Sequence, residues 1–86
     1  MLKDYITYNE KSYQISTVKL HRYGIVETMV FPVEDGIVSG KEVYCLRTTK
    51  PGEAVHKHMD IYAHPEKYLS EEAINAYFKS KEDDLI

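Results

Sequence analysis

The chain has 86 residues, of which 43% are hydrophobic and 29% charged, with eight tyrosines and a formal net charge of −3 at pH 7. This size fits one domain, 1–86, and the aromatic content excludes a disordered chain. The acidic balance argues against a protein that coats DNA, and the single cysteine, Cys45, excludes a disulfide framework or a cysteine-based zinc site.

The first half of the chain, 1–49, has the pattern of a β-meander. Short runs rich in β-branched and aromatic residues alternate with polar turns, which predicts strands over 5–8, 13–20, 25–31 and 42–48. Pro32 is expected to end the third strand, and the following segment, which contains Asp-Gly and Ser-Gly, is predicted to be a loop. The third strand is apolar on both faces apart from Glu27, which predicts a central strand partly covered on both sides.

The second half, 50–82, changes to helical periodicity. A first helix is predicted to begin around Pro51 and to end at Pro65, and a second to begin at Ser70, where Glu71 and Glu72 favour the helix N-terminus. Residues 83–86 are expected to form a frayed acidic tail. The predicted fold is therefore α+β, an antiparallel meander of three to four strands covered by one or two C-terminal helices. The expected buried face of the first helix consists of Ala54, Val55, Met59, Ile61, Tyr62 and Ala63.

The histidines of the first helix are the main candidates for chemistry. His58 lies among apolar residues on the helical wheel, which favours a buried, hydrogen-bonded histidine over a general base in a cleft. His56, Asp60 and His64 share one stripe by their i, i+4, i+8 spacing, so they are the candidates for a metal site. An exposed polar face is the favoured interpretation of that stripe, and no metal or cofactor is predicted.

Motifs of known enzymes are missing from the sequence, which lacks a phosphate-binding loop and a nucleophile elbow. Cys45 and His58 could form a nucleophile pair, but an inert buried thiol is favoured. We therefore expect a protein that is not an enzyme. The sequence also lacks a signal-peptide-like apolar segment near Met1 and an apolar run long enough to cross a bilayer, which predicts a cytoplasmic protein.

The tyrosines favour contacts with a protein partner, because tyrosine is large, rigid and amphipathic. Nucleic-acid binding is the alternative, and it requires a basic surface built from Lys19, Arg22, Arg47 and Lys50. A homodimer is a further candidate, since a small meander leaves strand edges unpaired. The predicted residues of the protein-binding surface are Tyr8, Tyr13, Arg22, Tyr23, Tyr68, Glu71 and Glu72.

Two stretches of this chain, taken together, resemble a family of small uncharacterised bacteriophage and prophage proteins. The first is Glu27–Pro32, which precedes the Asp-Gly loop, and the second is Glu53–Val55 followed by His58 and then by Ile61–Tyr62. That family has an ETMVF strand and an EEA…GH..MV helix, and the likeness covers about residues 24–64. Lys57 stands where the family pattern has glycine.

The resemblance implies a biological setting rather than a reaction. It suggests an accessory protein of a phage or mobile element that acts inside the bacterial cell. Proteins of this kind bind host or phage proteins, including those of host defence systems, so the resemblance implies a binding protein and names no cofactor.

Overall fold

The first half of the chain forms one antiparallel sheet and the second half forms helices. The computed structural model describes residues 1–83. The strands are β1 (Leu2–Tyr8), β2 (Lys11–Leu20), β3 (Ile25–Glu34), β4 (Ile37–Val38) and β5 (Tyr44–Thr48). The helices are α1 (Pro51–Ala63), α2 (Glu66–Leu69) and α3 (Glu71–Asp83). The predicted α+β meander followed by C-terminal helices is confirmed.

The sheet has the order β1-β2-β3, and the far edge of β3 pairs with both β4 and β5. The third strand is therefore central, as predicted. Its alternate residues Val26, Thr28 and Val30 are buried, whereas Glu27 and Met29 on the other face are half-buried. The first strand has one neighbour among the described elements, so β1 is an edge strand.

Two hairpin turns of two residues set the register of the sheet. Asn9 and Glu10, which join β1 to β2, have φ values of 52° and 66°. Asp35 and Gly36, which join β3 to β4, have φ values of 51° and 77°. Two consecutive left-handed residues are the geometry of a type I′ turn, whose twist matches that of the strands it connects.

Pro32 does not end the third strand, contrary to the sequence-based expectation. It pairs with Tyr13 of β2, and β3 continues to Glu34. The carbonyl of Pro32 accepts a hydrogen bond from the Ser39 amide at 2.8 Å, on the edge opposite β2. A residue's N–H and C=O point to the same edge of a strand, so the missing N–H of Pro32 faces the irregular segment between β4 and β5 and costs no ladder bond.

Most of the observed helix ends agree with those predicted from the sequence. The first helix ends at Ala63, before Pro65, as predicted, but its N-cap residue Lys50 makes no side-chain cap. At the start of α3 the Ser70 hydroxyl accepts a hydrogen bond from the Ala73 amide at 3.2 Å, as expected of an N-cap. The short helix α2 was not predicted. The expected frayed tail begins inside α3, which runs to Asp83, and its residues 84–86 lie outside the described part of the chain.

The core lies between α1 and the sheet. Ile15 of β2, Val30 of β3 and Ile61 of α1 are fully buried, and α1 packs against β2, β3 and β5. Leu69 of α2 completes this cluster, and Ile74 of α3 packs against it. None of the helices in the described residues is long and apolar enough to cross a membrane.

Candidate functional site

Ala54 and Ile61 lie in the predicted buried face of the first helix, and His58 is the buried, hydrogen-bonded histidine that was predicted, but the rest of the predicted face is exposed. Ala54, His58 and Ile61 are each 0% exposed and face the sheet. Val55, Met59 and Tyr62, which were expected in the buried face, are 42%, 54% and 51% exposed. Ala63 is exposed as well. The buried stripe is therefore narrower than predicted, and it is centred where polar groups of the sheet bind His58 and the carbonyl of Ala54.

A continuous polar network joins α1 to three strands. His58 Nε2 lies 2.7 Å from Asp4 Oδ2 on β1, and His58 Nδ1 lies 2.8 Å from Thr17 Oγ1 on β2. Thr17 Oγ1 lies 2.8 Å from Thr28 Oγ1 on β3, which donates to the Ala54 carbonyl at 3.0 Å. Every buried polar atom of this network therefore has a partner, as buried polar groups require.

The residue types of this network are those of a hydrolase triad, but the arrangement differs. The Thr17 side chain is bonded to both His58 and Thr28 and is only 5% exposed. A nucleophile must reach its substrate, and this hydroxyl faces the interior. In this arrangement the hydrogen bonds of the network hold α1 in one position on the sheet.

Beside the network lies an apolar surface, which we call the α1 flank and define as Val55, Met59 and Tyr62. Their i, i+4, i+7 spacing places them in one row along the helix. His58, one step round the helix from this row, reaches Asp4 on β1, so the flank points toward the β1 edge of the sheet. Leu2, on the same sheet face as Asp4, is a further apolar side chain of the β1 edge and is 38% exposed.

The tyrosines predicted to bind a partner do not share one surface. Tyr13 is 4% exposed and belongs to the core, so its expected place on the binding surface is wrong. Tyr8 and Tyr68 are half-buried against that core. Sequence alone did not separate core from surface tyrosines, because the buried Tyr13 and the exposed Tyr5 both occur in strands. Tyr23, in the β2–β3 turn, is 67% exposed.

Tyr68 is held in place by its neighbours. Its ring meets that of Tyr44 edge-on with 5.2 Å between centroids, and its hydroxyl donates to the Asp60 carboxylate. Burial and then this carboxylate raise the pKa of Tyr68 well above its usual range. The phenol therefore stays protonated and serves to join α2 to α1.

The remaining predicted surface residues lie elsewhere on the molecule. Arg22 is exposed in the β2–β3 turn, next to Tyr23. Glu71 and Glu72 are exposed in the first turn of α3. The predicted set is thus divided between the core, one turn of the sheet and the start of α3.

The metal candidates do not come together either. Within residues 1–83 there is no group of three or more side chains that could hold a metal ion. Asp60 accepts from Tyr68 and lies 3.5 Å from Lys67 Nζ, whereas His64 Nδ1 lies 3.6 Å from Glu66 Oε1. His56 is exposed.

The basic residues of the nucleic-acid alternative are divided between two sheet faces. Arg47 binds Glu27, and the register places this pair on the face opposite α1. Lys19 pairs with Val26 and so points to the α1 side, near the start of the helix after Lys50.

Cys45 lies on the same face as Arg47 and is half-buried. Burial, followed by the charge of Glu27, raises the pKa of its thiol. A raised pKa lowers the thiolate fraction, so this cysteine has little nucleophilic character.

Comparison with family models, curated proteins and solved structures finds no match to this chain. The site is therefore interpreted from its own geometry. The α1 flank was not among the predicted binding residues, and it is the feature that sequence reasoning missed, whereas the β1 edge contains one predicted residue, Tyr8.

Proposed function

We propose that this chain is a non-enzymatic accessory protein of phage or mobile-element type that binds a protein partner in the bacterial cytoplasm. The observation that supports this proposal best is the row of three half-exposed apolar side chains on the α1 flank, Val55, Met59 and Tyr62. Contiguous exposed apolar patches mark interaction sites, whereas scattered apolar side chains need no explanation, and these three lie together in one row. Blocking a host defence protein is the specific form of the proposal.

The β1 edge and the α1 flank together indicate what kind of partner segment would bind there. β1 offers seven residues at a sheet edge, and an edge strand presents unpaired N–H and C=O groups at regular spacing. An extended segment can add to such an edge through main-chain hydrogen bonds, while its alternate side chains pack on a neighbouring surface. We therefore propose that the partner supplies an extended strand to β1 and that its apolar side chains cover the α1 flank.

Two other binding partners, a second copy of this chain and a nucleic acid, are distinguished by the experiments below. A second copy of this chain could supply the strand, which keeps the homodimer as a candidate partner. Nucleic-acid binding would instead use Lys19, Arg22 and Lys50 together with the exposed Tyr23, near the β2–β3 turn. Binding of that kind weakens steeply as salt concentration rises.

The experiment is site-specific photo-cross-linking in bacterial lysate, with the photoreactive group placed at Met59. The matched control carries the same group at Glu72, an exposed position on α3. We expect a protein cross-linked from position 59 but not from position 72, which survives nuclease and is the same in repeated preparations. Equal capture from both positions would contradict the proposed surface.

A charge on the flank tests the affinity of the captured partner directly. Met59→Asp should weaken its binding at least about tenfold, equivalent to about 1.4 kcal/mol. Tyr23→Ala should leave that binding unchanged if the flank is the surface and reduce it if the turn is. Light scattering of the purified chain shows whether the partner is a second copy.

A further inference from the structure

The contacts around His58 define the number of protons that the network holds. The Ala54 carbonyl can only accept, so Thr28 donates its hydroxyl proton to it at 3.0 Å. The contact of 2.8 Å between the two threonine hydroxyls then needs the proton of Thr17. The Thr17 oxygen must in turn accept from His58 Nδ1, which is therefore protonated.

The other ring nitrogen of His58 faces an acceptor. Nε2 lies 2.7 Å from Oδ2 of Asp4, a distance typical of a charge-assisted hydrogen bond. Four contacts in this network need four protons. Two hydroxyls and a neutral imidazole supply three, so a neutral imidazole beside an ionised Asp4 would leave two lone pairs facing each other.

We propose that His58 carries the fourth proton and is a buried imidazolium whose counter-ion is Asp4. The side chain of His58 is 0% exposed, whereas that of Asp4 is 44% exposed and keeps contact with water. Solvation favours the ionised form of a carboxylate, so the proton belongs on the ring and the charge of Asp4 remains. The seam between β1 and α1 is thus a proton-binding site.

The side chains that the sheet presents near the His58 ring do not compete with Asp4 for its proton. β2 and β3 present the hydroxyls of Thr17 and Thr28, and by register β5 presents Tyr44, Leu46 and Thr48 on this face. None of these side chains titrates near neutral pH. Asp4 is the charged group that bonds to the ring, and Lys19, which β2 also turns to the α1 side, is exposed.

A structural consequence follows for the edge strand. A buried charge is stable only when it is paired, so the imidazolium ties β1 to α1. The proposal rests on the contacts of His58 and not on the proposed partner binding. The two can therefore fail separately.

The test is nitrogen NMR of the four histidines in the uniformly labelled chain at pH 7. His21, His56 and His64 are exposed, so the His58 ring is distinguished by slow exchange of its ring protons with solvent. We expect both of its ring nitrogens to be protonated. A His58 ring with one unprotonated nitrogen would overturn the proposal, and this result needs no variant.

Asp4→Asn provides the matched second measurement. The asparagine amide can donate to Nε2, so a neutral imidazole with its proton on Nδ1 then satisfies all four contacts. We expect His58 to become neutral in this variant while the fold is kept. Asp35→Asn, which removes the same charge at an exposed turn, should leave His58 protonated. An imidazolium that persists in Asp4→Asn, or disappears in Asp35→Asn, contradicts the pairing.

Discussion

Asp4 and His58, which are 54 residues apart in the chain, are joined by a hydrogen bond of 2.7 Å between Oδ2 and Nε2. This bond connects the first strand to the first helix, next to the apolar α1 flank. Hydrogen bonds are directional, whereas hydrophobic packing is not. The polar network therefore fixes the rotation of α1 on the sheet, and with it the residues that α1 leaves exposed.

Thr28→Val tests whether the polar network stabilises the fold. Valine has the shape of threonine but removes the hydroxyl that accepts from Thr17 and donates to Ala54. An unsatisfied buried hydroxyl costs about 1–3 kcal/mol, so we expect the free energy of unfolding in urea to fall by that amount. Thr7→Val, at an exposed position on β1, is the control and should change little. Equal stabilities of the two variants would show that the network is dispensable.

The types of the main elements were predictable from the sequence because they depend on local patterns. Alternation over 13–20 and the Ser70 start of α3 are visible in short stretches of the chain. The burial of His58 was predicted from its place among apolar residues, but the exposure of Met59 was not, because it depends on contacts between His58 and groups 41 and 54 residues away. Hydropathy places Met59 in the buried face, yet the Thr17 hydroxyl of the sheet binds His58, and Met59 is 54% exposed.

The candidate surface was unpredictable for a related reason. A predicted meander leaves strand edges unpaired, but the definition of this surface also needs the orientation of α1, which exposes Met59. Tyr13 is the converse case, a residue predicted to be exposed that is buried. Its sequence context resembles that of an exposed strand tyrosine, but its side chain lies in the core.

Ile61 and Met59, two residues apart on α1, are expected to differ sharply in their contribution to stability. Ile61 is fully buried, and its replacement by alanine leaves a cavity, so Ile61→Ala should lower the free energy of unfolding by about 2–5 kcal/mol. Met59 is 54% exposed, and Met59→Ala should change it by no more than about 0.5 kcal/mol. Urea denaturation followed by circular dichroism measures both. A large loss in Met59→Ala would mean that the flank is packed against the protein itself.

The turn between β1 and β2 offers a stabilising substitution. Glu10 has a φ of 66°, a left-handed conformation that costs a residue with a Cβ about 1–2 kcal/mol. Glycine adopts it freely but loses more entropy on folding, so Glu10→Gly should raise the free energy of unfolding by about 0.5–1 kcal/mol.

Gly36 gives the reverse case for comparison. It has a φ of 77° in the β3–β4 turn, and a Cβ there would meet nothing within 4 Å. Gly36→Ala should therefore destabilise through backbone strain alone, by about 1 kcal/mol. If thermal melts move in the same direction for both variants, the left-handed conformations are not what determines stability at these turns.

The acid dependence of stability should depend in part on Glu42, which connects the segment before β5 to α3. Its carboxylate accepts from Lys81 Nζ at 2.8 Å and from the Tyr77 hydroxyl at 2.7 Å. These two bonds, that of Lys81 first, lower the pKa of Glu42 below its ordinary value of 4.5. A lowered pKa means that the unfolded chain binds this proton more readily, so the stabilisation is present above pH 4.5 and is lost as the pH falls below it.

Glu42→Gln removes this titration. The difference between the free energies of unfolding at pH 7 and pH 3 should therefore be smaller in Glu42→Gln than in the unsubstituted chain. Glu72→Gln, at an exposed position on α3, serves as the control for the loss of one negative charge. Urea denaturation of the three proteins at both pH values measures the effect. An unchanged difference in Glu42→Gln would show that the contacts with Lys81 and Tyr77 do not hold the carboxylate in its ionised form.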